Sequence, residues 1–201
     1  MKKDYIHCKG VLNKEMADFL YQYLLLKRQG FLTLYNNDLI SKFDEDRGKW
    51  GDGQVDNSFC IYGDSMFDLL LVKIKPIMEK QTGVKLIETY SYARAYQTGE
   101  DLKKHRDRAS CKISSTMNLG GDPWKIYLEL EDKKVKSFEL NPGDMLIYKG
   151  DKLKHWRKTF KGNICGQVFL HYNDAADLTN KFDGRPHLGL PKDIQIEKNV
   201  G

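Results

Sequence analysis

A change of hydrophobic period at Gly83 divides this chain and limits the folds open to it. Beyond that point Tyr90, Tyr92, Arg94 and Tyr96 occupy alternate positions, as do Ile113, Ser115, Met117 and Leu119. A period of two puts every second side chain on one face of an extended segment. The pattern predicts strands over 86–96, 113–119, 125–130, 136–140, 144–148, 153–159 and 165–172. Turn formers separate them, among them Gly120-Gly121-Asp122-Pro123, Asn141-Pro142-Gly143 and Lys161-Gly162-Asn163. Many short strands punctuated in this way imply a sandwich or a barrel-like jelly roll.

Before Gly83 the period is that of a helix. Residues 5–12 form a short apolar segment suited to an edge strand, and Asn13 can cap a helix over 14–28. Met16, Phe19, Leu20, Tyr23 and Leu24 give that helix one apolar stripe, with Gly30 as its stop. After a short strand over 59–62, Asp64 or Ser65 caps a second helix reaching about Gln81. Its stripe is Phe67, Leu70, Leu71, Ile74 and Met78, and Pro76 should kink or divide it. Two such helices ahead of a strand-rich half are expected to buttress one face of a sheet. The predicted class is therefore α+β, mainly β, with 1–83 as helical support, 84–173 as the jelly-roll core and 174–201 as a polar tail that wraps or frays.

Between the helices, residues 41–58 are too rich in glycine and acidic residues for regular structure. A loop of this length is expected to be a lid or binding loop, or else disordered. Its acidic spacing lacks the ligand alternation and terminal Glu of a calcium loop. Trp50 within it faces substrate or anchors the loop to the body.

One ordinary domain accounts for the length, which suffices to bury roughly 70% of the surface its unfolded form exposes. The cysteines Cys8, Cys60, Cys111 and Cys165 are far apart with no C-x-x-C spacing, which argues for reduced thiols. No signal-type segment and no membrane-length apolar run is present, so the expectation is a soluble, cytoplasmic protein.

Chemistry enters at His105-Arg106-Asp107. If His105 and Asp107 share an extended segment, both point to one side, and His155, fifty residues on, can reach them from a neighbouring strand. Two imidazoles and a carboxylate on one face of an octahedron leave three positions open, and this donor set suits Fe(II). A lone His-x-Asp is common on solvated surfaces, and the surroundings must decide. The kinase catalytic loop shares His-Arg-Asp but needs an Asn where Lys112 stands.

Tyr96, Gly99 and His105-x-Asp107 resemble the motif of the prolyl-4-hydroxylase-like branch of Fe(II)/2-oxoglutarate-dependent dioxygenases, in which a tyrosine lies nine and a glycine six residues before the first iron histidine. Asn141-Pro-Gly-Asp-Met-Leu-Ile-Tyr148, the stretch from Lys152 to Gly162 around His155, and Gln167-Val-Phe-Leu-His-Tyr172 are similar to that family's closing half. The resemblance spans about residues 86–173. It implies a double-stranded β-helix (jelly roll, cupin-like), iron bound by His105, Asp107 and His155, and 2-oxoglutarate and dioxygen as cosubstrates. Peptidyl-proline hydroxylation is the first substrate expectation.

The resemblance also implies that the far carboxylate of 2-oxoglutarate meets a hydroxyl, matched by Tyr96, and a cation on the last strand. Here the sequence departs from the pattern, because no Lys or Arg lies between Gly162 and Tyr172. Arg157, two positions past His155 and so on the same strand face, is the favoured substitute; Lys125 and Gln167 are the others. His171 is a competing distal ligand or a core histidine.

Lys149, Lys152, Lys154, Arg157, Lys158 and Lys161 surround the distal histidine and predict a basic rim, or a plain solvated strand pair. Two function classes follow. One is an oxygenase acting on a peptide, a small molecule or a nucleic acid, and the other is a cupin-like binding module without catalysis. Keto-acid-dependent oxygen consumption separates them.

Overall fold

The computed structural model describes residues 1–177 and 184–186. Helix α1 (Lys14–Asn36) follows strand β1 (Tyr5–Cys8), and helix α2 (Ser65–Thr82) follows β2 (Lys49–Trp50) and β3 (Phe59–Tyr62). Then come β4 (Leu86–Gln97), β5 (Leu102–His105), a 3-10 turn (Ala109–Cys111), β6 (Ile113–Gly121), β7 (Ile126–Glu129), β8 (Val135–Phe138), β9 (Met145–Tyr148), β10 (Lys154–Arg157) and β11 (Ile164–Asp174). Two antiparallel sheets result, a large one ordered β1-β9-β6-β11-β4-β3-β2 and a small one ordered β5-β10-β7-β8. The predicted mixture of two helices and a β-rich half is what forms.

The caps are local. Asn13 accepts from the Met16 amide and Asp64 from the Met66 amide, satisfying donors that have no partner within the helix. Gly83 closes α2 in the left-handed region, at φ 68°. Helix α2 runs unbroken through Pro76; the carbonyl it leaves unbonded, that of Val72, belongs to an exposed residue that water can serve. Helix α1 passes the expected stop at Gly30. A glycine costs a helix only about 1 kcal/mol, and the turn beyond it carries Phe31, which is buried 5.5 Å from the Phe59 ring.

Both helices cover one face of the large sheet. Ala93, Ala95, Met117, Leu119, Val168 and Leu170 meet Leu20, Leu24, Phe67, Leu71 and Ile74 there in a single apolar cluster. The approach is close: a Cβ on Gly120 or Gly166 would come 2.8 or 2.6 Å from the ring of Tyr21. The opposite face, which the alternation turns toward the small sheet, carries Arg94, Tyr96, Ser114, Thr116, Asn118, Gln167 and His171, all buried. A protein interior of that composition needs polar partners, and it is where the site lies. All four cysteines are buried and none is in a disulfide, and no helix among the described residues is long and apolar enough to cross a membrane.

Candidate metal centre

Strands β5 and β10 bring the two histidines together, for His105 and His155 are direct partners in their antiparallel ladder. Their ring centroids lie 4.3 Å apart. Asp107 stands just past the end of β5, its amide bonded to the Gly150 carbonyl at 2.9 Å. One oxygen, Oδ1, lies 3.3 Å from His155 Nε2 and 3.7 Å from His105 Nε2. The Nδ1 atoms face backbone carbonyls, of Lys103 at 2.7 Å and Leu153 at 3.1 Å. A carbonyl can only accept, so each Nδ1 carries a proton and each Nε2 is turned toward the shared space. Among the described residues this is the one group whose His, Cys and carboxylate atoms converge closely enough to hold a metal ion.

The second carboxylate oxygen is fixed from behind. Asp107 Oδ2 accepts from the Ser114 hydroxyl at 2.6 Å, and Ser114 Oγ also lies 3.0 Å from His171 Nδ1. His171 therefore sits behind the carboxylate, outside the converging group. Burial alone would raise the Asp107 carboxyl; the His155 imidazole beside it outweighs this and holds it well below the usual carboxylate range. His105 is shifted down, by burial and by the neighbouring His155. Gly150 supplies a condition that no motif announces: a Cβ there would come 2.5 Å from Asp107 Oδ2 and overlap the Ser114 hydroxyl. Gly150→Ala is therefore expected to push Asp107 out of line and weaken Mn(II) binding by about 10- to 100-fold, with the melting temperature changed far less. Calorimetric titration under nitrogen checks this.

Deeper in the same interior, Arg157 is 2% exposed. Its guanidinium donates to the Trp124 carbonyl at 2.6 Å, Gln167 Oε1 at 3.1 Å and Thr116 Oγ1 at 3.4 Å. All three partners are neutral, no carboxylate pairs with it among the described residues, and its buried Nε has no hydrogen-bond partner. Gln167 is occupied at both ends, its amide nitrogen donating to Asn118 Oδ1 and Cys165 Sγ at 3.1 Å each. Tyr96 packs edge-on to Trp124 and is fully buried, which raises its phenol to about 12 against the opposing charges of Arg94 and Arg157. Lys125 falls short of the predicted strand, since β7 begins at Ile126, and its side chain is exposed outside the sheets. It stands away from the interior that holds Arg157 and Gln167.

A cavity of about 430 Å³ opens in front of the triad. The 41–58 loop forms part of its wall through Asp52, Gly53 and Gln54. That loop is latched: Asp52 forms an ion pair with the buried Arg94 and accepts from the Tyr92 hydroxyl at 2.9 Å. Trp50 packs on the helix-side core beneath Arg28, so it anchors the loop. The predicted basic rim is corrected by strand parity. Arg157 points inward, whereas Lys158 lies over the outer Tyr127 ring and Lys149 pairs with Asp4 and Glu131. The cations that do line the cavity are Lys49, Arg106, Arg108 and Arg185. Residues 178–183 and 187–201 of the tail lie outside the described residues.

No protein-family model matches the sequence, and no curated protein matches it. Solved structures do share its fold. A prolyl-4-hydroxylase from Pseudomonas putida gives a TM-score of 0.62 at 10% identity, covering 86% of this chain and 94% of its own. A prolyl hydroxylase from Trichoplax adhaerens, in complex with a hypoxia inducible factor peptide fragment, gives 0.60 at 12% identity over 87% and 86%. The non-heme alpha ketoglutarate dependent epimerase SnoN from nogalamycin biosynthesis gives 0.59 at 12% identity over 87% and 79%. At such identities the likeness establishes the architecture, the double-stranded β-helix of 2-oxoglutarate and iron oxygenases, here with two helices behind the large sheet.

Proposed function

We propose that this protein is an Fe(II)- and 2-oxoglutarate-dependent oxygenase similar to the prolyl-4-hydroxylase-like branch. The observation that carries the reading is the convergence of His105 Nε2, His155 Nε2 and Asp107 Oδ1 at the mouth of a cavity, inside a fold shared with such enzymes. The donor set of two imidazoles and one carboxylate fits Fe(II), and each group is oriented by a hydrogen bond at its far atom. Bound there with 2-oxoglutarate, iron supplies reduction of dioxygen coupled to loss of carbon dioxide from the keto acid, giving succinate and placing one oxygen atom on a substrate carbon.

The chain's own residues do the rest. His105, Asp107 and His155 would hold the metal beside the cavity, through the atoms that converge there. Arg157, held by Thr116, Gln167 and the Trp124 carbonyl, receives the far carboxylate of 2-oxoglutarate, and the Tyr96 hydroxyl donates to it. A buried guanidinium with only neutral partners is a cation waiting for an anion, because leaving it uncompensated costs several kcal/mol. The Asp52–Arg94 latch keeps the 41–58 loop over the cavity and limits water entry.

Peptidyl proline is a reasonable first substrate to try, since two structural neighbours are prolyl hydroxylases. The epimerase neighbour, from nogalamycin biosynthesis, supports trying small molecules beside it. A succinate assay tests the class directly. Release of succinate from 2-oxoglutarate is expected with Fe(II) in air, slowly without substrate, and excess Zn(II) should suppress it by occupying the donors with an ion that has no redox chemistry. Absence of both turnover and keto-acid binding in the iron-loaded protein would leave the binding-module reading in its place.

A further inference from the structure

Two arginines alternate with the metal ligands in His105-Arg106-Asp107-Arg108, and both line the cavity mouth. Arg106 spends its Nε on the Lys152 carbonyl at 2.8 Å, which steadies the side chain and leaves its terminal nitrogens available. Neither arginine has a carboxylate partner among the described residues, whereas Lys49 pairs with Glu45 at 2.6 Å and Arg94 with Asp52. Among the described residues the mouth thus carries uncompensated positive charge at two planar forks. A carboxylate fills one fork, but the three terminal oxygens of a phosphate can serve both.

The facing wall is aromatic. The Tyr62 ring lies 4.3 Å from that of Tyr92 and 5.8 Å from that of Tyr90. A flat group already rests on it: the Arg185 guanidinium lies 4.6 Å from the Tyr62 ring centroid and 5.2 Å from that of Tyr90. A surface that accepts one planar, delocalised group accepts another of similar thickness, and nucleic-acid bases stack on aromatic side chains in this way.

Building on the oxygenase reading, we propose that the substrate is a nucleotide, with its base on the tyrosine wall in the place that Arg185 holds and its phosphate on Arg106 and Arg108. The same chemistry is offered by a free mononucleotide and by one unit of a single strand. The test is calorimetric titration of the protein loaded with Mn(II) and 2-oxoglutarate under nitrogen, using thymidine 5′-monophosphate, thymidine, a short oligothymidylate and an acidic proline-containing peptide as probes.

The monophosphate is expected to bind about 10- to 100-fold more tightly than thymidine, and the margin should shrink as salt is raised. In Arg106→Gln/Arg108→Gln the margin should vanish while Mn(II) affinity holds. A tighter oligothymidylate assigns the strand as the source, and a tighter monophosphate assigns the free nucleotide. Equal binding of thymidine and its phosphate, or preference for the peptide, overturns the inference while the oxygenase reading stands. Failure to bind Mn(II) and 2-oxoglutarate at all removes the oxygenase reading instead.

Discussion

Asp107→Ala is expected to abolish Fe(II)-dependent succinate release and to lower Mn(II) affinity by more than about 100-fold, beyond the 10- to 100-fold typical of losing a supporting partner. The carboxylate is the one anion of the group, and its Oδ1 lies within 3.7 Å of both imidazole nitrogens. Without it two neutral imidazoles face the divalent ion. The fold should survive, because the ladder pairing β5 with β10 and the apolar cluster behind the large sheet do not involve the carboxylate. His155→Ala should match it in direction. His171→Ala should cost less, since His171 stands outside the donor group, behind the Ser114 hydroxyl that bonds Asp107. Titration under nitrogen beside a thermal melt measures both quantities. Unchanged affinity in His155→Ala together with its loss in His171→Ala would transfer the distal role to β11.

Why the triad can be read from sequence, and its supports cannot, is a matter of range. Few residue types bind iron, and His105 and Asp107 lie two positions apart, so the ligands show in a dozen letters even though β5 ends at His105. The alternation that places them also separates the buried face of β4, with Arg94 and Tyr96, from the helix face with Ala93 and Ala95. Strand β5 is harder to read, since its four residues include the exposed Lys103 and Lys104 and give no apolar signal. Ser114 and Gly150 matter only through contacts with Asp107 that the fold creates. Asp52 meets Arg94 across forty-two residues, and nothing in the loop's composition distinguishes a latched lid from disorder. The basic rim misled because charges counted along a line ignore parity: on β10, His155 and Arg157 turn inward while Trp156 stacks on Tyr127 outside.

Parity also frames the second large effect. Arg157→Met should raise the apparent KM for 2-oxoglutarate by about one to two orders of magnitude, equivalent to about 1.4 to 3 kcal/mol for a lost charge-assisted pair. Mn(II) affinity should barely move, because Arg157 is absent from the donor group. A second consequence separates an anchor from an ordinary buried arginine. In the protein without keto acid, Arg157 is a desolvated cation among neutral partners, so an apolar side chain of similar length should cost little stability or even add some. Saturating 2-oxoglutarate should then raise the melting temperature of the wild-type protein and hardly affect the variant, since a ligand stabilises in proportion to its binding. Arg157→Lys should recover only part of the loss, because one ammonium cannot replace a fork that also bonds Trp124, Thr116 and Gln167. Lys125→Met serves as the contrast. Its side chain lies outside the sheets, and an unchanged KM there alongside a raised one in Arg157→Met places the anchor on β10; the reverse result would move it to the segment before β7.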